Sequence, residues 1–255
     1  MNVIELYGQL CERIPRELSC EWDNDGLMCC PERSKEVRKA LITLDVTDEA
    51  VAYAAEGGFD AIISHHPMIF KGLKAINEEN YISAKAIKLI KSGISVMSFH
   101  TRLDAVGGGV NDVLASALGL ENVNVFGNGD ETIGRIGDLP CPLDTHEFAE
   151  RVKAALGAPF VLLGDAGLDV SRVAVLGGEG DDDICAARAA GADTYVSGRL
   201  GYHNMTDAEG IGMNLIEAGH FYTENPVCTA LRAMVNEIAP DIECELFFSN
   251  TIKAI

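Results

Sequence analysis

Positive charge is what this chain has least of. Its 255 residues carry 20 lysines and arginines against 39 aspartates and glutamates, a formal net charge of −19. Phosphate backbones are bound by basic surfaces, so nucleic acid is not an expected partner. An anionic substrate would also need a local cation, which a bound divalent metal would supply. Long apolar runs are missing too, and none approaches the roughly 20 residues needed to cross a bilayer. Met1 leads into a mixed segment, Asn2 to Arg16, without the layout of a signal peptide. The expectation is a cytoplasmic protein with no membrane partner. No Cys-x-x-Cys occurs among the eight cysteines, most of which lie in apolar stretches. Reduced, buried thiols are therefore expected in place of a disulfide or zinc framework. The Gly-x-Ser-x-Gly elbow of serine hydrolases is absent as well.

What is present is the composition of an ordinary globular protein, 47% hydrophobic and 23% charged, with length for one large or two small domains. Val3, Leu6, Tyr7, Leu10 and Ile14 form a helical stripe. A β/α rhythm follows. Residues 40–46 read as a strand, and a helix capped by Thr47 or Asp48 runs through Ala55 to Gly57-Gly58. Residues 59–64 read as a second strand, 81–91 as an amphipathic helix closed by Gly93, and 94–99 as a third strand. Strands alternating with helices predict a mostly parallel sheet, where ligands bind beyond the carboxyl ends of the strands. A helix over 110–118 comes next. From about Thr132 the order is strand (132–137), helix (144–156, with Asp144 and Glu147 as a capping box), strand (159–163), strand (172–176), helix (182–190) and strand (194–197). This β-α-β-β-α-β order predicts a second, smaller unit of the split βαβ kind, and Phe126-Gly-Asn-Gly-Asp130 reads as the linker to it. A strand over 213–217, a helix from Pro226 to about Ile238 capped by Asn225, and an alternating strand over 242–248 close the chain. The expected fold is α/β, with one domain made of residues 1–127 and 213–255 and a second of residues 128–212.

Side chains that carry chemistry gather where strands end. His65-His66 follows the apolar run Phe59 to Ser64 and precedes Pro67, which blocks the ladder. Neighbours in a regular strand point to opposite faces, so adjacent imidazoles share a target only beyond its end. His100-Thr-Arg-Leu-Asp104 follows the third strand, and Asp45 falls at the carboxyl end of the first. His220 and Glu224 repeat the four-residue spacing of His100 and Asp104 after another strand. Imidazole and carboxylate suit divalent first-row metals. Five or more such ligands exceed the needs of one tetrahedral ion, and carboxylates bridging two ions are the arrangement of two-metal hydrolases. The opposing reading is that each histidine is a core or surface residue and their clustering an accident of loop composition. His146 reads as solvated on a first helical turn, and His203 as a loop residue. Gly177-Gly-Glu-Gly-Asp-Asp-Asp183 lacks a third glycine and any basic residue, so it matches no phosphate-binding fingerprint, and its acids read as a helix cap. Trp22-Asp-Asn-Asp-Gly-Leu27 reads as a turn, with a site-lining role left open.

Taken in order, Trp22-Asp-Asn-Asp-Gly-Leu27, Ser64-His-His-Pro67, His100-Thr-Arg-Leu-Asp104 and Gly219-His-Phe-Tyr-Thr-Glu224 resemble the motifs of the Nif-three-like proteins, the GTP cyclohydrolase 1 type 2 homologues. The resemblance spans most of the chain. It implies two α/β domains with a dinuclear metal centre in the cleft between them, held by His65, His66, Asp104, His220 and Glu224. Asp104 and Glu224 would bridge two divalent ions, zinc, iron or manganese, and His100 beside them would handle substrate or protons. It also implies a homohexamer, a trimer of dimers, and hydrolysis of a nucleotide (GTP cyclohydrolase-type ring opening) or a phosphoester. Gly198-Arg199-Leu200-Gly201 ahead of Tyr202-His203, and the acidic Gly178-Glu-Gly-Asp181, depart from the family pattern, so they bear on the substrate and leave the ligands intact. A non-enzymatic role, binding or delivering metal or acting as an adaptor, is the alternative.

Overall fold

Asn2 starts α1 (Val3–Arg13) with a reciprocal capping box, its side chain accepting from Glu5 N while the Glu5 carboxylate accepts from Asn2 N. Val3, Leu6 and Leu10 make the buried face of that helix. Next come β1 (Gly26–Cys29), β2 (Lys39–Thr43), α2 (Asp48–Glu56), β3 (Ala61–Ser64), α3 (Tyr81–Ser92), β4 (Ser95–Ser98) and α4 (Thr101–Ala105). The middle of the chain holds α5 (Val110–Ala117), β5 (Glu121–Asn128), β6 (Glu131–Leu143), α6 (Thr145–Leu156), β7 (Leu162–Gly164), β8 (Val170–Glu179), α7 (Ile184–Ala189), β9 (Thr194–Arg199), α8 (Tyr202–Thr206), α9 (Ala208–Ile211), β10 (Asn214–Glu217) and α10 (His220–Glu224). The chain closes with α11 (Val227–Ile238) and β11 (Glu243–Phe247). This computed structural model describes residues 1–129, 131–253 and 255, so Asp130, the last residue of the expected linker, lies outside the described residues.

Two units divide the chain. The first comprises Met1–Val106, Val227–Lys253 and Ile255, and the second Gly107–Pro226. In the first, the strand order is β1-β4-β3-β2-β11. Four of these strands run parallel, and β1 joins antiparallel to β4. The strands β3 and β4 are buried at every position and β2 at all but its first, as parallel strands covered by helices require. Ala50, Val51, Ala54, Ala86 and Leu89 of α2 and α3 pack on Leu41, Ile62 and Val96, while α11 lies against β2, β11 and α1.

The second unit carries the larger sheet, ordered β5-β6-β8-β9-β10-β7. Here β8, β9 and β10 are parallel, and the flanking pairs are antiparallel. The fold class is α/β with a mostly parallel first sheet, but the expected domain bounds of 128–212 need correction at both ends. The helix α5 packs on β6 and β8, β5 pairs with β6, and β10 pairs with β9, so residues 107–127 and 213–226 belong to the second unit. The strand β5 was unreadable because nearly all its residues are exposed, which erases the alternation that marks a half-buried strand. Of the residues read as a linker, Phe126 to Asn128 are the end of β5 and Gly129 opens the turn after it. The strand β7 lies at the far edge of the sheet, against β10 and away from β8. Of the eight cysteines, all free thiols, only Cys29 and Cys228 are buried, and burial pushes the Cys29 thiol up to about 11. Among the described residues no helix is long and apolar enough to cross a membrane.

One buried charge ties the first unit together around α4. Arg102 is fully buried. Its Nε donates to Asp25 Oδ2 at 2.7 Å and its Nη1 to the Ile14 carbonyl at 3.2 Å, and its guanidinium sits 4.5 Å from the centre of the Phe99 ring. Burial alone would lower the Arg102 pKa, but the Asp25 charge and the surrounding hydrogen bonds outweigh it and raise the value. Breaking such a pair from one side leaves an uncompensated buried charge. Asp25→Ala is therefore expected to cost about 3–5 kcal/mol in urea unfolding at neutral pH, and a loss below about 1 kcal/mol would contradict this account.

Candidate metal centre

The registers of β2, β3 and β4 pair Thr43 with Ser64 and Ser64 with Ser98, so the three parallel strands end level. The chain then delivers Asp45, His65-His66 and His100 to the same edge of the sheet. Each imidazole is tethered through Nδ1: His65 to the Phe99 carbonyl at 3.0 Å, His66 to Asp45 Oδ1 at 2.7 Å and His100 to Asp23 Oδ1 at 2.8 Å. A carbonyl can only accept, so His65 carries its proton on Nδ1, and in a neutral ring Nε2 holds the lone pair. Binding one ring nitrogen to a carbonyl or carboxylate is how proteins orient metal-ligating histidines. The three histidines each offer one ligand nitrogen, and these lie within 4.8 Å of one another. His65 is fully buried, and its Nε2 lies 3.7 Å from Oδ1 of the mostly buried Asp104 on α4. This unit's donors, imidazole nitrogen and carboxylate oxygen, fit a divalent first-row ion in kind.

The tryptophan-containing segment turns out to be the frame for this edge. Because β1 runs antiparallel to β4, with Gly26 opposite Ser98, the residues before β1 lie beside those after β4. Asp23 Oδ2 accepts from Thr101 N at 3.0 Å and from Thr101 Oγ1 at 2.7 Å, and Asp25 Oδ2 accepts from His100 N at 3.1 Å. Burial raises the Asp23 carboxyl, but the hydrogen bonds from His100 and Thr101 prevail and hold it at about 2. Two acids two apart, ahead of a glycine, were the available signal for this role.

In the second unit, α10 follows β10 after Gly219, at φ +86°. It sets His220 Nε2 3.1 Å from Oε2 of the buried Glu224. Three glycines let α10 approach β8 and β9. A Cβ on Gly178 would collide with Glu224 Oε1, one on Gly177 would lie 3.1 Å from Glu224 Cγ, and one on Gly198 would lie 2.7 Å from His220 Cα. Gly178 N also donates to Thr223 Oγ1 at 3.1 Å. The glycine-rich run thus seats the His220–Glu224 helix, a role missed in sequence. Its acids do not cap α7, which has no side-chain cap bond. Asp181 Oδ1 instead accepts from Gly201 N at 2.6 Å and Asn204 Nδ2 at 2.8 Å. His146 and His203 are exposed and stand apart from these groups.

Two outcomes follow from this geometry. Gly178→Ala places a Cβ at φ +72°, a strain of about 1–2 kcal/mol before the clash is added. A loss of at least that size is expected in denaturant unfolding, where a neutral result would contradict the seat. Asp23 has a folded pKa below its ordinary 3.8, so its stabilising contribution is complete above about pH 4 and fades as pH falls through about 2. The stability gap between wild type and Asp23→Asn should close as pH falls from about 4 towards 2. A gap independent of pH would refute the assignment.

Comparison with known proteins places this geometry. The family model described as Duf34/NIF3 (NGG1p interacting factor 3) matches residues 1–254. The chain is 32% identical over 249 residues to a Clostridium perfringens protein named GTP cyclohydrolase 1 type 2 homolog, covering 95% of each chain. It is 33% identical over 223 residues to the NIF3 homolog of Schizosaccharomyces pombe, covering 82% of this chain and 79% of that one. The crystal structure of a Bacillus cereus protein related to NIF3 superposes with a TM-score of 0.91 at 25% identity, over 100% of this chain and 99% of the other. The family model runs over nearly every residue, including all four motifs, and the chain belongs to the Duf34/NIF3 family.

Proposed function

We propose that this chain is a dinuclear metal-dependent hydrolase in which His65, His66, Asp104, His220 and Glu224 would hold two divalent ions, zinc, iron or manganese. The observation that carries the reading is the tethering of His65, His66 and His100 through Nδ1, together with one ligand nitrogen from each lying within 4.8 Å of the others. When bound, such ions lower the pKa of a coordinated water and stabilise negative charge developing on the substrate. The chain's own residues supply orientation and proton handling. Asp23, held ionised by its hydrogen bonds, fixes the Nδ1 proton of His100, so His100 Nε2 is placed to exchange a proton with substrate, the base-and-orienter pairing of many hydrolases. In a chain of net charge −19 the ions would also provide the cation that draws an anionic substrate. The name GTP cyclohydrolase 1 type 2 homolog, carried by the Clostridium perfringens relative, makes ring opening of a nucleotide the first activity to test and phosphoester cleavage the second. A homohexameric, cytoplasmic enzyme completes the proposal.

Elemental analysis after reconstitution with manganese, iron or zinc should give two ions per chain, falling below one in the double variant His65→Ala, His66→Ala. Fewer than one ion in the wild type, unchanged by that variant, would overturn the reading. Against nucleotides, phosphoesters and cyclic amides, Asp104→Asn should lower turnover at least about a hundredfold. Tight binding of two ions without turnover of any of these would instead favour a metal-binding or metal-delivery protein.

A further inference from the structure

Trp22 is the only tryptophan in the chain, and it is 60% exposed, with Phe70 44% exposed. Their ring centroids lie 6.2 Å apart with an interplanar angle of 67°. Both meet His100 nearly at right angles, Trp22 at 6.2 Å and 79°, Phe70 at 6.1 Å and 88°. Perpendicular contacts use the edge of one partner, so they leave ring face uncovered. The pair is also held in place. Asn24 Nδ2 donates to the Ile69 carbonyl at 2.5 Å, tying the segment that carries Trp22 to the one that carries Phe70. Asp23, next to Trp22, is anchored on His100 and Thr101. Two large aromatic rings left in water and fixed beside a candidate catalytic histidine point to a ligand. Two rings are far too little surface for a stable protein interface, which buries about 800 Å² per partner, so the occupant they suit is a small molecule.

We infer that Trp22 and Phe70, inclined at 67° to each other, form an aromatic corner in which a substrate's planar heteroaromatic ring stacks on one and meets the other edge-on, and that this corner selects the substrate and sets it beside His100. This rests on the hydrolase reading for its location and adds to it the residues that choose the substrate. Stacking itself needs no metal, so it is testable apart from the metal centre. The lone tryptophan makes its own fluorescence the reporter. Titration of the full chain, metal-free and metal-loaded, with guanosine 5′-monophosphate or adenosine 5′-monophosphate should quench Trp22 saturably, whereas ribose 5-phosphate should not. Phe70→Ala should weaken nucleotide binding about tenfold or more, the size expected for losing one base-stacking side chain, and Phe70→Tyr should restore it. Trp22→Phe, followed by equilibrium dialysis, should retain binding that Trp22→Ala loses. Both residues are exposed, so far-UV circular dichroism of the variants should match wild type. Equal quenching by ribose 5-phosphate, or unchanged affinity in Phe70→Ala, overturns the inference. So does a change in sedimentation rather than affinity, which would make the pair a self-association surface. Quenching that persists in a protein unable to hold metal leaves the aromatic corner standing and removes the metal reading. Two bound ions without ring-dependent quenching does the reverse.

Discussion

The clamp between two aspartates and one helical turn is the constraint on which the first unit's site depends. Asp23 and Asp25 together take the His100 ring, the His100 and Thr101 amides, the Thr101 hydroxyl and the Arg102 guanidinium. A five-residue helix such as α4 has too few internal hydrogen bonds to persist alone. Here its first turn is held from outside by charge-assisted bonds at about 2.7–3.1 Å. Arg102, with no exposure to water, extends the clamp to the carbonyl of Ile14 at the end of α1. Asp104 sits on that same turn, so its approach to His65 is inherited from the clamp.

Each unit uses the same device to present its chemistry. Parallel strands end level, and the residues just beyond their carboxyl ends carry the functional groups, as expected for open α/β sheets. In the first unit these are His65, His66 and His100 after β3 and β4. In the second, His220 and Glu224 follow β10, packed over the ends of β8 and β9. The supporting chemistry differs. Carboxylates and a carbonyl orient the imidazoles of the first unit, whereas the absence of side chains at Gly177, Gly178 and Gly198 makes room for α10 in the second.

Much of this was legible beforehand, for identifiable reasons. The buried strands β2 to β4 and the helices α1, α2, α3 and α6 announce themselves through periodicity and through Thr47, Gly93 and Asp144 at their ends. The histidine doublet beside Pro67 marked a strand end without any structure. β1 and β5 did not show. Gly26–Cys29 is short and preceded by a turn-like polar run, and Glu121–Asn128 is exposed on both faces, so neither bears a period-two pattern. Both exist because a partner strand supplies hydrogen bonds, information that is absent from their own residues.

The sequence by itself determined the inventory and its local setting: which histidines and carboxylates exist, that they follow strands, and that an acidic chain needs a cation for an anionic ligand. Local propensity and spacing act over a few residues, so they are readable in one dimension. The tertiary structure alone decided that Asp23 and Asp25 face His100 to Arg102, and that the glycines of 177–178 and 198 seat His220 and Glu224. It also decided which strands complete the second unit. Those facts depend on antiparallel register and sheet order, which join residues tens of positions apart and which no local pattern encodes.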